Sequence, residues 1–156
     1  EVINHSRVGL TIRGAIDQVK KLPLASLDGS AVILEIGGND IMNGRDANSF
    51  DKELDELLGL VKGARQILIF ELPLPPFYNR YAQSQRRLTR KHDALLIPKK
   101  AFGRIVREPG ATIDGLHLSQ KGHQMVEEVV SGMISSSDRK EKGGSHLTVE
   151  KEGDKS

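Results

Sequence analysis

The sequence predicts an α/β fold, a parallel sheet with helices on both of its faces, and three observations predict it. Short aliphatic runs of strand length alternate with longer segments whose apolar residues recur at helical spacing, the order expected of a covered parallel sheet. The runs Ala31-Val32-Ile33-Leu34-Glu35-Ile36 and Ile67-Leu68-Ile69-Phe70 are almost continuously apolar, as strands buried on both faces must be. Aromatic residues make up only 4% of the chain and Trp is absent, so the core has to be built from Leu, Ile and Val.

Each element can be justified in turn. Val2-Ile3 reads as the end of a strand, and residues 4–11 as a polar, glycine-containing loop. Ile12, Ala15, Ile16 and Val19 then recur at helical spacing, and Pro23 closes that segment. Asp28-Gly29 marks a turn before the strand over residues 31–36. Phe50, Leu54, Leu57, Leu58 and Val61 form the stripe of a helix over residues 48–61, followed by the strand over 67–70. Pro73, Pro75 and Pro76 cannot donate to a ladder, so residues 71–76 are a stiff loop at the strand's carboxyl end. A basic helix over 79–91, a short strand over 94–97 and a short helix over 99–106 come next. Ser119 is placed to cap a last helix whose inward stripe is Met125, Val126, Val129, Val130 and Met133. Residues 135–156 lack any core pattern and read as a polar, disordered tail, leaving residues 1–134 as one domain.

Composition narrows the function. The net charge of +2 is too small to suggest a nucleic-acid partner. The chain has no Cys, which excludes disulfides, a thiolate nucleophile and Cys-ligated zinc and leaves the compartment open. Its five His show no ligand spacing, so neither a metal nor a cofactor is expected. No apolar stretch approaches the roughly 20 residues needed to cross a bilayer. Arg86, Arg87, Arg90 and Lys91 form a cationic stretch that reads as a solvated face, with attraction to anionic lipid headgroups as the alternative. The chain begins at Glu1, without Met or signal, inside what reads as a strand, which suggests a cut start.

Two short motifs carry chemistry. Gly37-Gly38-Asn39-Asp40 follows a buried strand at its carboxyl end, where α/β sheets place functional groups, and reads as a glycine turn in which Asp40 fixes the backbone beside Asn39. Asp114-Gly115-Leu116-His117 puts a carboxylate three residues before an imidazole, close enough to orient it. With ten Asp and five His, such a spacing arises by chance about 0.3 times, so the motif gains weight only from its company. Acyl transfer needs a nucleophile, a base, a group that holds the base and donors aimed at the developing oxyanion. His117 is the candidate base, Asp114 its orienting partner, and the Asn39 side chain and Gly9 amide are the candidate donors.

The ordered blocks 2–11, 37–40 and 114–119, with Gly122-His123 after them, closely resemble those of the SGNH hydrolases, also called GDSL-type esterases and lipases. The resemblance runs from Val2 to about Met133 and looks closest to the small bacterial arylesterase and lysophospholipase-like thioesterase branch. It implies a three-layer α/β/α flavodoxin-like sandwich, with Gly9 and Asn39 at the oxyanion hole and Asp114 and His117 as acid and base. It also implies a small-molecule ester substrate and slightly favours a periplasmic or secreted location. The departure is that the family's first block, Gly-Asp-Ser after the first strand, occurs nowhere in the chain. The expectation is therefore a serine hydrolase of carboxylic esters or thioesters whose first strand and nucleophile lie upstream. A carbohydrate O-deacetylase and a noncatalytic binding module are the alternatives. Ser6 and Ser119 are the substitute nucleophiles to examine, and residues 42–49 and 72–81 the loops expected to shape an acyl pocket.

Overall fold

The computed structural model describes residues 1–115 and 117–143. Three strands, β1 (Ala31–Leu34), β2 (Gln66–Phe70) and β3 (Leu95–Ile97), pair in parallel and in chain order. Val32 lies opposite Ile67, and Leu34, Ile69 and Leu96 form one row across the sheet. The helices are α1 (Ile12–Val19), α2 (Gly38–Met42), α3 (Ala47–Leu60), α4 (Asn79–Lys91), α5 (Lys99–Arg107) and α6 (Gln120–Gly143). Because both strand-to-strand steps run in the same direction, right-handed crossovers put α3 and α4 on the same face.

That face is the core. Ile67 and Ile69 of β2 pack with Ile12 and Ile16 of α1, Phe50, Leu54, Leu57 and Leu58 of α3, and Leu88 of α4. The opposite face buries Leu68 and Ile97, but at β1 it opens, leaving Ile33 48% exposed. Helix boundaries follow local chemistry. The Thr11 hydroxyl accepts from Gly14 N at the start of α1, and the Asp46 carboxylate accepts from Asn48 N and Ser49 N at the start of α3.

Buried polar side chains stitch the carboxyl end of β2. Gln85, fully buried on α4, donates to the Phe70 carbonyl and accepts from Leu72 N. Glu71, also buried, accepts from the Arg86 guanidinium (2.7 Å from Nε) and from Lys99 N at 3.0 Å. The backbone of the proline-rich loop is thereby satisfied before the chain turns into α4.

Four expectations need correction. Val2-Ile3 is not in a strand: Val2 is 95% exposed and no described strand lies beside these residues, so they have no ladder to join. Gly37-Gly38-Asn39-Asp40 is not a simple turn, because Gly37, with φ +101°, leads directly into α2. The polar segment from residue 135 continues α6 as far as Gly143; residues such as Arg139, Lys140, Glu141 and Lys142 are good helix formers without any core stripe. The rest of the expected tail lies outside the described residues. Finally, Met125, Val126, Val129, Val130 and Met133 are half-buried, since α6 makes its main contacts with α5 and not with the sheet.

Phe50 is 0% exposed and meets Tyr81 edge-on, with ring centroids 5.2 Å apart. Phe50→Ala is expected to destabilise the fold by about 3–5 kcal/mol, read from the shift in a urea unfolding transition followed by circular dichroism.

Candidate active site

The candidate side chains fall into two pairs. Gly9 sits in the turn closed by Leu10 N donating to Arg7 O, and its φ of +74° is what calls for glycine, since a Cβ there would meet nothing within 4 Å. The Asn39 amide, in the first turn of α2, donates to Leu10 O at 2.9 Å. One hydrogen of that amide is thus used to hold the side chain against the Gly9 loop, and the second remains for another acceptor.

Asp40 does more than fix its own turn, as the sequence suggested. Its carboxylate reaches back 28 residues and accepts from Ile12 N with both oxygens, at 3.0 and 3.2 Å. Asp40 is 3% exposed and Ile12 0%, so this bond satisfies the first free amide of α1 in a place water does not reach. Burial raises the Asp40 pKa above its ordinary 3.8, against the opposing pull of the Ile12 amide; Glu53 adds to the rise and Arg45 counters it. Glu53 is itself buried and paired with Arg13 and Arg45, closing this side of the Gly9–Asn39 region.

Asp114 and His117 are brought together on the loop before α6. One Asp114 oxygen accepts from His117 N at 2.8 Å and the other lies 2.6 Å from His117 Nδ1. The loop is pinned at its base by Ile113 N donating to His117 O and Ser119 N to Ala111 O. Gly122 makes that closure possible, because a Cβ there would collide with the Ala111 carbonyl oxygen. Both side chains are open to solvent, His117 at 74% and Asp114 at 52% exposure.

Neither substitute nucleophile is hydrogen-bonded to the imidazole among the described residues. The Ser119 hydroxyl donates to Gly110 O and accepts from Gly122 N, the helix-capping role expected from sequence. The Ser6 hydroxyl donates to its neighbour Asn4. The proline-rich loop carries Phe77 and Tyr78 outward, 96% and 40% exposed. Sequence reasoning missed the reach of Asp40 and the buried Glu71 and Gln85; an acid beside a glycine turn is the only signal for the first.

Residues 1–125 match the model of the GDSL-like Lipase/Acylhydrolase family. Among solved structures, the chain is similar to the psychrotrophic esterase EstA from a Pseudoalteromonas species, in a form inhibited by monoethylphosphonate, with a TM-score of 0.68 at 22% identity. That likeness covers 86% of this chain and 76% of EstA. TesA is similar too, with a TM-score of 0.66 at 22% identity over 84% of this chain and 76% of TesA. These two likenesses speak for the fold. No curated protein sequence matches the chain.

Replacing Asp40 separates its two roles. Asp40→Ala leaves Ile12 N buried without an acceptor and is expected to cost about 1–3 kcal/mol. Asp40→Asn keeps an acceptor but cannot ionise. Since the folded pKa is raised, the carboxyl's contribution is fully present below 3.8 and is lost as pH rises through the folded value. The stability of wild type relative to Asp40→Asn is therefore expected to fall across that window, as measured by urea unfolding of both proteins at a series of pH values.

Proposed function

Given that the chain belongs to the GDSL-like lipase/acylhydrolase family, a family of ester-hydrolysing enzymes, we propose that it acts through a serine acyl-enzyme with His117 as base and Asp114 as its orienting acid. The observation that carries this reading is the two-point grip of Asp114 on His117, through the backbone amide and through Nδ1. With Nδ1–H given to the carboxylate, Nε2 is left with its lone pair facing outward, the arrangement a general base requires.

The steps follow from these positions. His117 Nε2 takes the serine proton as the serine oxygen attacks the acyl carbon. The oxygen that becomes negative is received by Gly9 N–H and by the Asn39 amide hydrogen not engaged with Leu10 O. Collapse expels the alcohol or thiol, which leaves with the proton from His117, and an acyl-enzyme remains. Water, deprotonated by the same imidazole, attacks the acyl carbon and releases the acid and the free serine.

The nucleophile is proposed to lie on a segment upstream of Glu1. Three facts support this: no Gly-Asp-Ser occurs among the 156 residues, Ser6 and Ser119 are engaged elsewhere, and Ile33 of β1 presents apolar surface at the open side of the sheet. For substrate, Tyr78 beside half-buried Leu74 favours esters or thioesters with an apolar acyl or aryl group.

Fluorophosphonate labelling of the full-length product, followed by peptide mapping, tests the proposal. The expected adduct is on a serine upstream of Glu1 and is lost in His117→Ala. Asp114→Asn is expected to lower kcat by on the order of 10³–10⁴-fold and Asn39→Ala by on the order of 10²–10³-fold. An adduct on Ser6 or Ser119, or labelling indifferent to His117, would overturn the assignment.

A further inference from the structure

Helices α3 and α4 lie side by side with their N-termini at the same end. Arg80 donates to Asn48 at 3.1 Å, Arg87 to Asp51 at 2.5 and 2.6 Å, and Lys91 to Asp55 at 2.7 Å, a regular progression along both helices. Between them runs an open cleft of about 660 Å³, lined by Lys52, Arg80, Arg86, Arg87 and Arg90 and by a single carboxylate, Asp51. The whole chain carries only +2, so positive charge is concentrated on this face. Its cations are unequally engaged. Arg86 is held by Glu71 and Arg87 by Asp51, whereas among the described residues Arg80 meets only the neutral Asn48. Arg90 and Lys52 are exposed and have no anionic partner among the described residues.

The end of the cleft where both helices begin carries a second feature. Phe77, just before α4, is 96% exposed, and Met42, at the end of α2, is 84% exposed. The two segments are tied together by Tyr81, whose hydroxyl donates to Arg45 O at 2.7 Å, and Tyr81 also stands against Tyr78. Two large apolar side chains thus project beside a row of cations with long aliphatic stems. A soluble polyanion would satisfy the cations and leave Phe77 and Met42 in water; a bilayer of anionic lipid satisfies both.

We propose that this face docks on an anionic lipid bilayer, Phe77 and Met42 entering the headgroup and acyl boundary while Arg80, Arg90 and Lys52 meet lipid phosphates. The strand ends that precede α3 and α4 lie at the same end of the sheet as Asn39, so the docked molecule holds that end toward the lipid. The proposal does not rest on the ester chemistry, because binding is read without turnover.

The test is co-sedimentation of the full chain with phosphatidylglycerol vesicles and, separately, with phosphatidylcholine vesicles. Binding is expected to phosphatidylglycerol alone and to weaken with added salt. Arg90→Gln and Lys52→Gln are each expected to weaken it roughly fivefold, and Phe77→Ser roughly tenfold, with circular dichroism unchanged. All three side chains are exposed, so loss of the fold does not confound the result. Equal partition onto both vesicle types, or none onto either, would overturn the proposal. So would binding to phosphatidylglycerol that is indifferent to Phe77→Ser and displaced by RNA, the behaviour of a simple polyanion groove.

Discussion

The site depends on one buried hydrogen bond made twice over, from Ile12 N to the two oxygens of Asp40. A helix that begins in an apolar core exposes amide hydrogens to an environment that cannot solvate them. Asp40 answers that need for α1 and, because it stands next to Asn39, fixes the distance between the start of α2 and the Gly9 loop. The Asn39 amide adds a second bond, to Leu10 O. Two neighbouring residues of one short helix thereby grip Leu10 and Ile12, on either side of Thr11, which sets orientation as well as distance. The cost is a carboxylate kept out of water, visible in its raised pKa.

The same solution recurs at the same end of the sheet, beside the next strand. Helix α5 begins at Lys99 behind Pro98, which gives it no side-chain cap of its own, and its first amide goes to Glu71 at the end of β2. Helix α5 therefore starts on a distant buried acid in place of a local cap, and α1 starts on one in addition to its Thr11 cap. Each acid sits just past the carboxyl end of a strand, where the sheet can aim it. In both places the charge suits the positive end of the helix, which offsets part of the desolvation. The loops at the carboxyl end of the sheet are held by these acids and by Gln85 as well as by Ile41 and Leu72 packed against the core, so they can carry exposed side chains such as Phe77 without losing their path.

Much of this was legible in the sequence for simple reasons. Strands β1 to β3 and helices α1, α3 and α4 have continuous or periodic apolar patterns, and each lies within a few residues of its expected place. Ser119 was legible as a cap because capping depends on near neighbours, and Asp114 with His117 because they are three residues apart. What could not be read was long-range polar pairing. Asp40 with Ile12 and Glu71 with Lys99 are each separated by 28 residues, and nothing in the local pattern distinguishes such an acid from one in a solvated turn. The continuation of α6 past Ser135 was missed for the opposite reason, since a helix with no core stripe leaves no periodic signal. Val2-Ile3 shows the converse limit: β propensity produces no strand where no neighbour offers a ladder.

The exposure of Asp114 and His117 raises the question of how an open pair can hold a fixed geometry. An ion pair between two solvent-exposed side chains is worth little and is screened by salt, so attraction alone would not fix the ring. Here the carboxylate is set first, by the local amide of His117, in a loop whose backbone closes through Ile113 with His117 and Ala111 with Ser119. That closure rests in turn on Gly122, since any side chain there would push the first turn of α6 off the Ala111 carbonyl. Orientation therefore comes from backbone hydrogen bonds and close packing beneath the loop. The imidazole edge can stay accessible, as the proposed proton transfers require, while its partner remains in place.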